Sequence, residues 1–431
     1  MARLFVRSNE LYQRAKRTVP LASQTFSKSA MMYVRGAAPL FLERGEGARV
    51  WDVDGNTYID FVLGLLPVVL GYRDPDVDAA IRAQLDRGIT FSLSTELEVE
   101  LSERLTRLIP CAEMVRFGKN GSDATTAAIR LARAHTGRDR IALCGYHGWH
   151  DWYIGTTARH LGVPQAVREL SDTFDYNDAD SLRRLITARP GEYAAVMMEP
   201  TLAVEPAPGF LESVREICSQ EGVVLVFDEI ITGFRVHLGG AQAVYGVTPD
   251  LSCFGKAMAN GMPISAIVGK RKIMRQMEDV FVSGTFGGEC LSLAAAIATI
   301  DKLERIDAIA RTKAVGRRLA DGISEILKRH GIAENYGVSG PDWRPLVLPE
   351  GPVDRILAVS LLRQELNENG ILSVDAINVC LAHDDESVIV EALAAWERTA
   401  EKVALALRSN DPASCLRGDP VQPVFQVRAT T

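Results

Sequence analysis

Residues 194–199 read Ala-Ala-Val-Met-Met-Glu, and residues 223–228 read Val-Val-Leu-Val-Phe-Asp. Each is a short, almost wholly apolar run of the kind that fills a strand buried on both faces of a sheet. Residues 209–221 between them carry helical spacing, so the stretch is one βαβ unit whose two strands end on the same edge. Working outward, further β-branched runs at 113–117, 140–144, 251–254 and 264–269 alternate with helical segments. That alternation predicts an α/β fold with a mostly parallel sheet covered by helices. Ligands of such sheets bind outside the carboxyl ends of the strands.

Toward the N-terminus, a helical pattern gives way to residues 47–58, which alternate like a strand pair around the Asp54-Gly55-Asn56 turn. Beyond residue 300 the pattern is helical at 303–331, then mixed, then helical again at 386–408, which predicts a second, smaller α+β domain. The end of the chain holds Pro412, Pro420 and Pro423 and shows no periodicity. Over its 431 residues the chain is 47% hydrophobic and 24% charged, the balance of a globular protein rather than a disordered or fibrous one. Its 48 basic and 55 acidic side chains leave a net charge of −7, a field that opposes a polyanion, so no nucleic-acid partner is expected. The longest apolar run, 61–72, is interrupted by Gly64, Pro67 and Gly71 and falls short of the roughly 20 residues of a membrane span. Arg3, Arg7 and Glu10 occupy the place of a secretory signal's apolar stretch, which predicts a cytoplasmic protein. Seven scattered cysteines, none at C-x-x-C spacing, read as reduced thiols rather than disulfides or metal ligands.

Several stretches carry chemistry. Phe117-Gly118-Lys119-Asn120-Gly121-Ser122-Asp123-Ala124 joins a strand to a helix, where a small-residue turn offers backbone N–H groups and the positive dipole end to a phosphate; an ordinary N-cap fits the same residues. Val226-Phe227-Asp228-Glu229 ends a buried strand in two carboxylates, and Asp228 there suits a protonated ring nitrogen, a metal or a helix cap. No second acid or histidine at ligand spacing favours the metal. Lys256 stands just past a short buried strand beside Gly255 and Ala257, the setting of a desolvated amine able to form a Schiff base, or of a snorkelling lysine. Ser283-Gly284-Thr285-Phe286-Gly287-Gly288-Glu289 opens an apolar helix, as a second phosphate clamp or as a tight turn. Tyr146-His147-Gly148-Trp149-His150 supplies flat aromatic faces or core packing, and its histidines lack the Cys or carboxylate that would complete a zinc site. Phosphate cradle, aromatic plate, strand-end acid and Gly-flanked lysine, in that order on one α/β scaffold, make up the kit for pyridoxal 5′-phosphate (PLP).

From Ser8 to Arg408 the chain resembles the class III (subgroup II) aminotransferases of PLP fold type I, most closely their glutamate-1-semialdehyde aminomutase-like branch. Asp-Glu-x-x-Thr-Gly-Phe-Arg at 228–235 with Gly-Lys at 255–256 carries the resemblance, and Leu381-Ala382-His383-Asp384-Asp385 is similar to a small-domain segment of that branch. The resemblance implies a large PLP-binding domain over 66–305 and a small α+β domain over 306–408. To these it adds an N-terminal segment, 1–65, that contributes to the small domain and the substrate site, and a tail, 409–431. It implies Lys256 as the Schiff-base lysine and Asp228 as the partner of the pyridinium nitrogen. Ile230 is expected on one ring face and Tyr146 on the other, with Gly121 and Ser122 at the phosphate. Thr285 is expected to reach the phosphate of the neighbouring subunit in a homodimer with shared active sites. The implied activity is amino transfer between a small-molecule amino donor and a carbonyl acceptor, through aldimine and pyridoxamine phosphate forms. An intramolecular aminomutase or an epimerase is the alternative among enzymes, and a PLP-binding regulatory protein the alternative outside them.

Two departures from the branch bear on substrate. Lys28 stands where the branch has an arginine that grips the substrate carboxylate, and lysine cannot make that bidentate fork. The branch's Gly-Thr-x-x-Gly-Asn-Pro loop becomes Gly284-Thr285-Phe286-Gly287-Gly288-Glu289-Cys290. Lys28 and Glu289 are therefore the expected substrate contacts, and no metal is expected.

Overall fold

The computed structural model describes residues 3–422 and divides into two compact units, one built from the chain up to Asp74 and again from Ala310 onward, the other from Pro75–Ile309. In the second unit a seven-stranded sheet contains β1 (Met114–Gly118), β2 (Arg140–Cys144), β3 (Ser171–Thr173), β4 (Tyr193–Met198), β5 (Val224–Asp228), β6 (Leu251–Phe254) and β7 (Ser265–Gly269). Their order across the sheet is β1-β7-β6-β5-β4-β2-β3. β7 runs against both β1 and β6, and every other neighbouring pair is parallel.

β4 and β5 are buried at every residue because both faces of the sheet are covered. Alternate residues go to two separate cores. Ala195, Met197, Val224 and Val226 pack with Ala124, Ala128 and Leu131 of α1 (Gly121–Thr136). Val196, Met198, Leu225 and Phe227 pack with Phe210, Val214 and Ile217 of α2 (Phe210–Glu221). Each Val, Leu, Ile, Phe or Met among them contributes about 1.5–3 kcal/mol on burial, so the strands cannot slip by one residue without exchanging cores. β3, Ser-Asp-Thr, lies outside the strands expected from the sequence; as a short edge strand it pairs on one side only and carries no apolar signature.

In the first unit, strands Leu42–Glu46, Arg49–Asp52 and Thr57–Asp60 form an antiparallel meander, and Ile371–Leu372 adds in parallel to the last of them. Helices Arg355–Glu368 and Glu386–Arg408 cover this sheet through Leu362, Leu366, Ile389 and Trp396, which share a core with Ile59 and Phe61. The helical stretch expected over 303–331 is broken: α3 (Cys290–Arg305) ends, Asp307 takes a left-handed φ of 47°, and a new helix runs Ala308–Arg329. Aspartate tolerates that conformation better than most residues. The tail docks within the same unit, where the Gln422 N–H donates to the Met31 carbonyl at 2.8 Å and Val421 buries beside Val34 and Ala37. Its remainder, 423–431, lies outside the described residues. No helix among the described residues is long and apolar enough to cross a membrane.

Candidate active site

The carboxyl ends of β2, β4, β5 and β6 open on one edge of the sheet, and the residues singled out above follow them directly. After β1, Asp123 Oδ2 accepts the N–H groups of Lys119 at 2.9 Å and Asn120 at 2.8 Å, which turns the chain into α1. The amides of Gly121 and Ser122 then stand in the first turn, where the helix offers them no carbonyl, at the positive end of its dipole. A Cβ on Gly121 would lie 2.7 Å from Ile230 Cδ1, so glycine is what lets this cradle close on the segment after β5. Ser122 Oγ accepts the Trp149 N–H at 3.3 Å, and Thr125 Oγ1 donates to the His147 carbonyl at 3.0 Å; the loop after β2 is thereby tied to the cradle.

Asp228, only 4% exposed, accepts the Ile230 N–H on Oδ1 at 3.1 Å and meets His147 Nδ1 with Oδ2 at 2.8 Å. His147 Nε2 stands 3.1 Å from the Cys144 carbonyl, which can only accept. Nε2 therefore carries hydrogen, and the proton of the buried acid–imidazole pair lies on the line between Nδ1 and Asp228. Ile230 also spans to the lysine turn, since a Cβ on Gly255 would lie 3.5 Å from its Cδ1. Lys256 itself sits at φ 38°, a left-handed conformation that costs a side-chain-bearing residue about 1–3 kcal/mol and persists only where its surroundings hold it.

Glu199 follows β4 directly beside Asp228, because Met198 pairs with Phe227. It is buried, and its Oε2 accepts the Tyr146 N–H at 2.8 Å. Burial and the charge of Asp228 push its carboxyl above the usual carboxylate range, against the opposing pull of His147 and Lys256. Gly145, at φ 106°, could carry no side chain here, because its Cβ would lie 2.6 Å from Glu199 Oε2. The half-exposed Tyr146 ring meets Tyr153 edge to face at 5.5 Å, and its phenol is pushed up by burial and by Asp228.

Gly121, Ser122, Tyr146, Asp228, Ile230 and Lys256 thus come from four separate segments to one sheet edge. Thr285 is exposed, on a turn closed by the Gly287 N–H to the Gly284 carbonyl at 3.0 Å. Glu289, expected as a substrate contact, has both oxygens engaged instead. Oε1 caps α3 through the Leu291 N–H at 2.7 Å, while Oε2 accepts from Ser292 Oγ at 2.6 Å and Lys119 Nζ at 2.9 Å. Burial alone would raise its pKa; the hydrogen bonds from Ser292 and Lys119 outweigh that and lower it. Lys28 belongs to the other unit, exposed on the short turn Phe26–Lys28, and its charge acts on the buried Asp60. No group of three metal-ligating side chains occurs among the described residues. His147 and Glu199 are the site residues that sequence reasoning did not assign. The signal for Glu199 was present: like Asp228, it ends an unbroken apolar run.

Residues 32–337 match the family model Aminotransferase class-III. The 3-aminobutyryl-CoA aminotransferase of Cloacimonas acidaminovorans is 39% identical over 407 residues, covering 92% of this chain and 97% of the relative. The glutamate-1-semialdehyde 2,1-aminomutase of Roseiflexus castenholzii is 38% identical over 390 residues, covering 84% and 89%. Among solved structures, the FumI protein of Sphingopyxis sp. MTA144 in its PLP internal aldimine form superposes with a TM-score of 0.88 at 32% identity, covering 95% of this chain and 99% of that one.

Proposed function

This chain belongs to the class III aminotransferases, enzymes that move an amino group with the help of pyridoxal 5′-phosphate, and from that premise we propose how its own residues divide the chemistry. The observation that carries the assignment is the position of Ile230, one residue that packs against both Gly121 and Gly255 while its amide binds Asp228. Cradle, strand-end acid and lysine turn are thereby the walls of one site. When bound there, the cofactor supplies the electron sink that makes a C–H bond beside the amino nitrogen labile.

The donor set fits such a group. The free first-turn amides of Gly121 and Ser122 hold the phosphate, helped by the helix dipole. Asp228, backed by His147, holds a proton on the ring nitrogen through a charge-assisted bond. Ile230 covers one face of the ring and Tyr146 the other. Lys256 Nζ would hold the group covalently and, once an incoming amine has displaced it, would be the general base that takes the substrate proton and returns it.

A homodimer with shared active sites belongs to the same proposal, with Thr285 reaching the partner's phosphate. An apolar patch supports it: Leu93 is 85% and Phe281 79% exposed, with Phe91 and Phe286 also exposed. Their two segments adjoin through the Cys290 N–H to the Ile89 carbonyl at 2.8 Å. Exposed apolar surface of that kind marks interaction sites. A cytoplasmic location is proposed on the seven free thiols.

For substrate, Lys28 offers a point charge rather than a fork, which suits an anionic or hydroxyl-rich end better than an α-carboxylate. The 3-aminobutyryl-CoA aminotransferase relative makes a 3-amino acyl compound the first donor to try. The aminomutase reading keeps its support from the Roseiflexus castenholzii relative. A panel of amines and amino acids, offered to the holoenzyme without an acceptor while its visible absorbance is followed, separates the two. Accumulation of the pyridoxamine form with one class of donor supports transfer. Turnover of glutamate-1-semialdehyde without accumulation contradicts it.

A further inference from the structure

We propose that Glu199 is held as the neutral acid beside Asp228, and that in this form it positions Tyr146 and offers the site a buried O–H donor. The proposal rests on the assignment of Asp228 and Lys256 given above.

Two carboxyl groups stand at the ends of adjacent strands, both less than a tenth exposed. Like charges so placed do not both ionise readily, and the proton settles on the acid with the weaker cationic partner. His147 decides which one that is. Its Nδ1 is hydrogen-bonded to Asp228, whereas Glu199 makes no ion pair among the described residues and accepts one hydrogen bond, from the neutral amide of Tyr146. The other titratable groups that act on Glu199 are Lys256 and the phenols of Tyr146, Tyr153 and Tyr176. Burial pushes all three phenols up, so they bring no charge. Lys256 is the remaining cation, and in the reading above it is committed to the cofactor.

Because the Tyr146 amide occupies Oε2, the hydrogen falls on Oε1. A neutral Glu199 then keeps the Gly145–Tyr146 turn in place without competing with Asp228 for positive charge. Glutamine preserves that arrangement, with a carbonyl for the amide and an N–H where the O–H was.

The test compares wild type, Glu199→Gln and Glu199→Ala. In holoenzyme at pH 7, the infrared difference between wild type and Glu199→Gln should contain the carbonyl band of a protonated carboxylic acid. In holoenzyme, Glu199→Gln should keep cofactor affinity within about threefold and leave unchanged the pH midpoint of the bound cofactor's visible absorbance. Glu199→Ala, which removes the acceptor for the Tyr146 N–H, should weaken the cofactor about tenfold. Ionised-carboxylate bands in the difference spectrum, or a midpoint that falls by about one unit or more in Glu199→Gln, would overturn the proposal, since that is what loss of a nearby negative charge does. Should Glu199→Gln fail to fold, wild type grown with carboxyl-13C glutamate must show the band displaced, and Glu229→Gln must leave it in place. Failure of the Lys256 assignment shows separately, as visible cofactor absorbance that survives Lys256→Ala.

Discussion

Each of the two units buries a histidine almost completely, and the two are put to opposite uses. His147 engages both ring nitrogens, Nδ1 with Asp228 at 2.8 Å and Nε2 with the Cys144 carbonyl at 3.1 Å. His383 accepts at Nδ1, from the Cys380 N–H at 3.1 Å, with the Cys380 Sγ also at 3.1 Å, while its ring stacks on Phe61 with centroids 4.6 Å apart. Burial pushes the pKa of His383 down to about 4. Equal burial therefore does not make equal sites. A carboxylate partner ties an imidazole to the acid of the candidate site, whereas an amide and an aromatic face turn it into a neutral core residue.

The largest effect expected on the catalytic side of this contrast is that of Lys256→Ala. It should abolish covalent attachment and lower amino transfer by at least about 10⁴-fold, with the fold and phosphate anchoring intact. A variant that keeps the visible absorbance and full turnover would sink the assignment. Asp228→Asn comes next. It should retain the cofactor with binding weakened by about 1.5–3 kcal/mol and lose most activity, because a neutral amide cannot hold the ring proton. Rates near wild type would refute the role.

The pair of histidines itself can be broken by parallel substitutions. His147→Gln should cost about tenfold to a hundredfold in rate, with the cofactor still bound. His383→Phe, which keeps an aromatic ring on Phe61, should leave the rate within about threefold but alter the pH dependence of stability. The sign follows from proton counts. Between pH ~6.5, where an unfolded histidine titrates, and about 4, where folded His383 does, the unfolded chain binds a proton that the folded one does not. Stability should thus fall by about 3 kcal/mol as the pH drops through that window, and urea midpoints at pH 7 and pH 5 should lie closer together in His383→Phe. If His383→Phe loses as much rate as His147→Gln, the contrast fails. The smallest effect is that of Lys28→Ala, which should raise KM for the acceptor by a few-fold (about 3–10) with cofactor affinity unchanged, the signature of lost uniform binding. Identical KM values across a substrate panel would leave Lys28 a surface residue.

Much of the site was legible because burial writes itself into strand sequences. β4 and β5 are apolar without interruption since both faces are covered, and a charge placed where such a run stops, as at Asp228, stands out. Partners were not legible, because they are far away in sequence. His147 lies 81 positions from Asp228, and Tyr146 lies 53 from Glu199. From sequence His147 read as part of an aromatic plate, and Glu199 as nothing more than the end of a strand. The contact of Glu289 was hidden for the same reason, since the lysine that engages it is 170 positions upstream. The fold showed similar gaps: β3 is polar, and the helix break at Asp307 depends on a single left-handed residue.

The central claim is that Lys256, at the edge where Asp228 and the Gly121 cradle meet, is the lysine that carries the cofactor. Borohydride reduction of the holoenzyme turns the lysine–cofactor C=N bond into a stable amine, and proteolysis followed by mass mapping locates it. The pyridoxyl group is predicted on the peptide that bears Lys256 and on no other. Its appearance on Lys119 or any other lysine, or its absence from a protein that still transfers amino groups, would contradict the account.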